Sequence, residues 1–168
     1  MTHYAIINEL TIQTAGDGSE IHNEQRKSEM KIRLDDVMQS LSYPFYAAYY
    51  YYIPLETVLM FSKGRIFGKA VHGITSEDDI RQHSKDFIRL PEIGEEGRRK
   101  VMAGFIESLP GDEMRGIIRE SLEEEGTKGF EAAVRSRRLT IEWYNYRDEV
   151  LMEFSRRWCE DHDLELIE

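Results

Sequence analysis

At Pro91 the spacing of apolar residues along this chain changes, and that change restricts the fold more than any other feature of the sequence. Before it lie runs rich in aromatic and β-branched residues, interrupted by glycine, proline and polar turns, which is the pattern of short strands. After it, "EEGRRKVMAGFIESL" places Val101, Met102, Phe105, Ile106 and Leu109 at steps of three and four, one apolar stripe of a helix. Strands followed by helices, without alternation, predict an α+β fold: a small antiparallel sheet from the N-terminal half packed on a C-terminal bundle of about four helices.

The local signals fill in this outline. In residues 1–29, "HYAIINELTIQT" predicts a strand and "AGDGSE" a turn, while "IHNEQRKSE" is either a mobile link or a partly ordered arm. Residues 30–168 then form a single α+β domain, sheet-rich over 30–91 and helical over 92–168. "MKIRLDDVMQSL" reads as a short strand running into a short helix, with Asp35 or Asp36 near the helix start. "YYYYIPLETVLMFS" is a hairpin turned at Pro54, which cannot donate to a ladder. "KGRIFGKAVHG" reads as an irregular loop or a poor edge strand, "SEDD" as a helix cap, and "DFIRLP" as a strand closed by Pro91. In the helical half, "PGD" ends the first helix. The second runs through "DEMRGIIRESLEEEG" to Gly126, a residue suited to the left-handed position after a helix. "KGFEAAVRSRR" makes a third helix, "TIEWYNYRDEVLMEFSRRWCED" a long fourth with Thr140 as N-cap, and "LELI" a last short strand.

Charge and cysteine usage narrow the function classes. The formal charge is −10, and residues 91–168 hold 20 of the 32 acidic side chains against 12 of the 22 basic ones. Such a surface repels phosphate backbones, which disfavours a nucleic-acid partner, and suits a basic one. The single Cys159 excludes an intramolecular disulfide. With no basic-then-apolar leader at the start of the chain, it points to a reducing cytoplasm. No apolar run reaches the roughly 18 residues that a membrane span needs. The longest candidate, Phe45 to Phe61, is interrupted by Pro54 and Glu56.

Several pieces together, namely "MKIRLDDVMQSL", "FIRLP", "FIESLP", the Gly129–Phe130 of "KGFEAAV" and above all "WYNYRDEVLMEFSRRWCE" with "LE" close behind, carry a resemblance. From about Met30 to Glu165 the chain resembles a family of small acidic bacterial proteins grouped as an uncharacterised protein family. Order and spacing agree best from about Phe87 to Glu165. Residues 1–29 fall outside the resemblance, "KGRIFGKAVHG" is less acidic than the family's linker, and His162-Asp163 stands where relatives often have Asn-Gly. The resemblance implies the α+β fold and a bacterial cytoplasmic setting, and it transfers no catalytic residue.

Three constellations are candidate sites. In the fourth helix, Trp143, Arg147, Val150, Phe154 and Trp158 form one stripe, with Tyr146 and Leu151 beside it. A charge there must be paired or must snorkel to the surface. Asp148 points elsewhere on the wheel, so a carboxylate of another helix, Glu107 or Glu131, is expected to pair with Arg147. The alternative is an anion-binding arginine. In the sheet, Tyr49 and Tyr51 face one side and Tyr50 and Tyr52 the other. One face packs on helices, and the other presents two phenols to solvent or a partner. Tyr43, Tyr46, Lys63, Arg65 and Lys69 are nearby. Core and interface packing, protein recognition and base stacking all remain open for this run. At the chain's end, Cys159 and His162 have ligand-like spacing, but a structural zinc site needs about four strong ligands. Cys159 therefore reads as a packing residue and His162 as part of a helix cap. Finally, "RSRR" (Arg135, Arg137, Arg138) suits a helix C-terminus, whereas Glu123–Glu125 at the end of the second helix oppose its dipole and suit the arginines of a neighbour or partner.

No catalytic residue is assigned, and no metal or cofactor is expected. The leading expectation is a non-enzymatic, cytoplasmic protein-interaction or regulatory module, self-association included, using Tyr49, Tyr50, Tyr51, Tyr52 and Arg147. The alternative is a small-molecule or nucleotide-binding protein, or a hydrolase, with a pocket formed by Tyr144, Arg147, Asp148 and Arg135.

Overall fold

The computed structural model describes residues 30–42, 47–68 and 71–167. The strand and link expected over residues 1–29 lie outside these, as do Tyr43, Tyr46 and Lys69. The fold is α+β, with an antiparallel sheet in the N-terminal half and helices in the C-terminal half. The described chain divides into two compact units. One is Ile93–Phe154, and the other combines the described residues up to Glu92 with those from Ser155 onward.

The sheet-bearing unit begins with strand β1 (Lys31–Arg33), which runs directly into helix α1 (Leu34–Ser42) with Asp35 and Asp36 in its first turn. Strands β2 (Ala47–Tyr52) and β3 (Thr57–Ser62) form the expected hairpin. It turns through Ile53-Pro54-Leu55 and the left-handed Glu56, whose N–H donates to the Ile53 carbonyl. Strand β4 (Arg65–Gly68) follows as an edge, and β5 (Phe87–Arg89) completes a four-stranded sheet in the order β4-β3-β2-β5. A second, two-stranded sheet was not expected. It joins β1 in parallel to β6 (Glu165–Ile167), with Ile32 opposite Leu166 and a Lys31–Glu165 ion pair at 3.5 Å.

The two faces of the four-stranded sheet are both covered. Tyr49 and Tyr51 join Ile32, Val37, Leu90, Trp158, Cys159 and Leu164 in one cluster. Tyr50 and Leu59 join Val71, Ile74 and Ile80 in another. Ile80 belongs to helix α2 (Glu77–Gln82), whose start is a capping box. The Ser76 hydroxyl accepts from the Asp79 N–H, and the Asp79 carboxylate accepts from the backbone and hydroxyl groups of Thr75 and Ser76, each at 2.9 Å. These donors, led by the Thr75 N–H, hold the Asp79 carboxyl down at about 2. Since the folded value lies below the unfolded one of about 4, the stabilisation is present above that pH and is lost as pH falls through about 2. The Asp79→Asn variant is therefore expected to melt below the wild type at neutral pH and to converge with it in strong acid. Parallel thermal melts across that range check this.

The helical unit contains α3 (Glu95–Ser108), α4 (Asp112–Ser136) and the first part of α5 (Thr140–Asp161). All five residues of the expected α3 stripe are buried. Phe105 stands edge-on to Phe130, Trp143 and Tyr146 with centroids 6.1, 5.3 and 5.6 Å away. Helix α4 unites the expected second and third helices across a break at Gly126 (φ 63°, ψ −145°), a conformation essentially closed to other residues. At the start of α5, Trp143 N–H donates to the Leu139 carbonyl, so Leu139 and not Thr140 holds the flanking position.

Both α4 and α5 end in the same hydrogen-bonded motif. After α4, Leu139 N–H donates to Val134 O and Arg138 N–H to Arg135 O; after α5, Leu164 N–H donates to Cys159 O and Asp163 N–H to Glu160 O. Each requires a left-handed residue, and here these are Arg138 (φ 59°) and Asp163 (φ 53°). Glycine takes that conformation at no steric cost. Arg138→Gly is expected to raise the unfolding free energy by about 0.5–1 kcal/mol in a denaturant titration.

Candidate functional site

The tyrosine run alternates as expected, but it offers no open phenolic face. Tyr50 is only 8% exposed, because the segment Val71–Ile80, read from sequence as loop and cap, folds over that side. Its hydroxyl donates to Glu77 Oε1 at 3.2 Å. Tyr52 is half-buried and lies against Phe87, 4.8 Å between ring centroids. On the other face Tyr51 is fully buried and donates to the Lys31 carbonyl at 2.9 Å, tying β2 to β1. Burial pushes its phenol up to about 12. These four tyrosines build the sheet's two cores.

Arg147 has a partner different from those expected. Its Nε and Nη2 donate to Asp148 Oδ1 at 2.9 and 2.7 Å, and its guanidinium lies 4.8 Å from the centroid of the Tyr144 ring. Glu107 pairs with Arg119 instead, and Glu131 is exposed. The Arg147 backbone lies within the apolar stripe, and its long side chain turns outward beside the Tyr144 ring to reach the adjacent residue. Every other member of the stripe, from Trp143 to Trp158, is buried. Tyr144, Arg147 and Asp148 are thus brought together on the outer surface of α5. Arg135 is exposed in the last turn of α4.

Beside this cluster the sequence reading missed Ile141, which is 73% exposed. The signal was available. Ile141 is two positions from Trp143, roughly opposite it on a helix of 3.6 residues per turn. Tyr144, 48% exposed, shares its outward face. Trp143 and Tyr146 turn inward to Phe105, and burial pushes the Tyr146 phenol up to about 12.

At the far end of α5, Cys159 is buried and its thiol is pushed up to about 12, first by burial and then by Glu160, which keeps it neutral and unreactive. His162 stacks on Trp158 at 4.2 Å and bonds through Nδ1 to the Trp158 carbonyl at 2.8 Å, the helix-end role expected of it. Among the described residues no group of three or more His, Cys, Asp or Glu side chains is placed to hold a metal ion. No helix among them is long and apolar enough to cross a membrane.

One groove of about 470 Å³ lies between α3 and α4, over Ala103, Ile106 and Leu122. Tyr144, Arg147 and Asp148 are not part of it. Compared with protein-family models, with curated proteins and with solved structures, the chain matches none.

Proposed function

We propose that this chain is a non-enzymatic, cytoplasmic protein-binding module, and that it docks its partner on the outer face of the first part of α5. One observation carries the reading: Ile141 and Tyr144 are exposed side by side on a helix whose opposite face is already occupied by the core. Water-facing isoleucine and tyrosine give a partner apolar area to cover, and arginine beside tyrosine is the pairing enriched where interfaces carry most of their energy. Arg147, held by Asp148 above the Tyr144 ring, is ordered before any partner arrives, so little side-chain freedom is lost on docking. Arg137 and Arg138, exposed just before α5, add positive charge to this end of an otherwise acidic chain. The partner surface is accordingly apolar and edged with carboxylates.

A photo-crosslinking residue at position 144 tests the proposal, with the same probe at exposed Glu113 as control. The reading expects a discrete product from position 144 that disappears with Ile141→Asp and weakens with salt. Equal labelling from both positions, or a product indifferent to Ile141→Asp, would contradict it.

A further inference from the structure

We infer that the outer edge of β4 takes up an extended acidic peptide as an added antiparallel strand, one that carries an apolar residue two positions before a carboxylate. This does not rest on the α5 docking face, which belongs to the helical unit, whereas β4 belongs to the sheet-bearing one. In the order β4-β3-β2-β5, β4 (Arg65–Gly68) is an end strand, and among the described residues no strand pairs with its outer side. The turn before it is the two-residue Lys63-Gly64, both left-handed at φ 50° and 74°, which makes Ser62–Arg65 a hydrogen-bonded pair. The ladder then alternates, so Met60–Phe67 is the next such pair. Between them Ile66 turns its N–H and C=O away from β3, toward the place of a further strand.

Side chains on the same edge select what pairs there. Arg65 and Phe67, two residues apart, face one side of the sheet. Across the sheet Tyr49 stands opposite Met60 and Met60 opposite Phe67; the first is buried and the second half-buried in the Trp158 cluster, but Phe67 is 48% exposed. An added strand would extend this row by one apolar side chain. Arg65 is exposed and in no ion pair among the described residues. The stretch "KGRIFGK", Lys63 to Lys69, holds three cations and no carboxylate in a chain of net charge −10. A second copy would double that positive charge along one ribbon, whereas an acidic peptide cancels it. Every pairing in this sheet is antiparallel, and a peptide continuing the pattern meets Phe67 first and Arg65 two residues later. That direction sets the order apolar, any residue, acidic, with bonds to the Ile66 backbone holding the strand in place.

Fluorescence anisotropy with the labelled peptide STFTETS, and STFTKTS as its comparison, tests this alongside hydrogen exchange of the Ile66 amide. The wild type is expected to prefer the glutamate peptide, losing that preference in high salt, and the Ile66 amide should exchange more slowly when it is bound. Arg65→Glu should reverse the preference. Phe67→Thr, which keeps a strand-forming side chain, should weaken STFTETS by about fivefold. Both positions are exposed, so the variants fold. Ile141→Asp should leave peptide binding unchanged, which separates this edge from the docking face on α5. Absence of binding at millimolar peptide, equal binding of the two peptides, no reversal in Arg65→Glu, or binding that leaves Ile66 exchange unaltered overturns the inference. A wild-type dimer with Ile66 already protected also overturns it, by giving the edge to a second copy.

Discussion

Replacing Trp158 with alanine is expected to lower the unfolding free energy by about 3–5 kcal/mol. Trp158 is 1% exposed and is the largest fully buried side chain of the described residues. It belongs to the cluster that also contains Ile32, Val37, Tyr49, Tyr51 and Leu90, contributed by β1, α1, β2 and the residue after β5. Its removal leaves a cavity lined by elements held in place by other constraints, such as Tyr51 bonded to the Lys31 carbonyl and the buried Ser40 hydroxyl 2.8 Å from the Pro91 carbonyl. Such walls collapse little, which puts the loss in the upper part of the range. The His162 ring also loses the surface on which it stacks. Chemical denaturation of Trp158→Ala and the milder Trp158→Phe checks this; the phenylalanine variant should recover much of the difference.

The second large effect is at Gly129. A Cβ built there collides with the Ser121 carbonyl oxygen and stands 2.7 Å from Glu125 Cβ. The break at Gly126 folds the end of α4 back against its own earlier turn, and residue 129 is where the two backbones meet. No rotamer change relieves a clash with a carbonyl, so Gly129→Ala is expected to lose about 3 kcal/mol. The neighbouring Phe130 would be displaced from its site 4.8 Å from the Trp143 ring. The same helix supplies its own control. Gly116 has open space around its added Cβ, and there the alanine should raise stability by up to about 1 kcal/mol. Opposite signs for one substitution in one helix would separate close approach from helix propensity.

What the sequence made legible was whatever depends on near neighbours. The switch of apolar period at Pro91, the α3 stripe from Val101 to Leu109, the Pro54 hairpin, the Ser76 cap and the positive φ of Gly126 all follow from spacings of a few residues. Contacts between distant segments were not legible. Nothing local announces that Lys31–Arg33 pairs with Glu165–Ile167, or that Val71, Ile74 and Ile80 cover Tyr50. Nor does any local signal announce that Asp163, with no glycine at that position, adopts the left-handed conformation after α5. The candidate site was half legible. Tyr144, Arg147 and Asp148 are readable as a group, but the wheel separates Asp148 from Arg147 while the long arginine side chain reaches back to it, and the exposure of Ile141 depends on which face the core occupies.

Central to the proposed function is that Ile141 and Tyr144 serve a partner and not the fold. The unfolding free energy of the double variant Ile141→Asp/Tyr144→Ser tests this most directly. It should differ from the wild type by no more than about 1 kcal/mol, the modest share owed to the Arg147–Tyr144 contact. A loss of several kcal/mol, as large as that expected at Trp158, would place both side chains in the core and contradict the docking face.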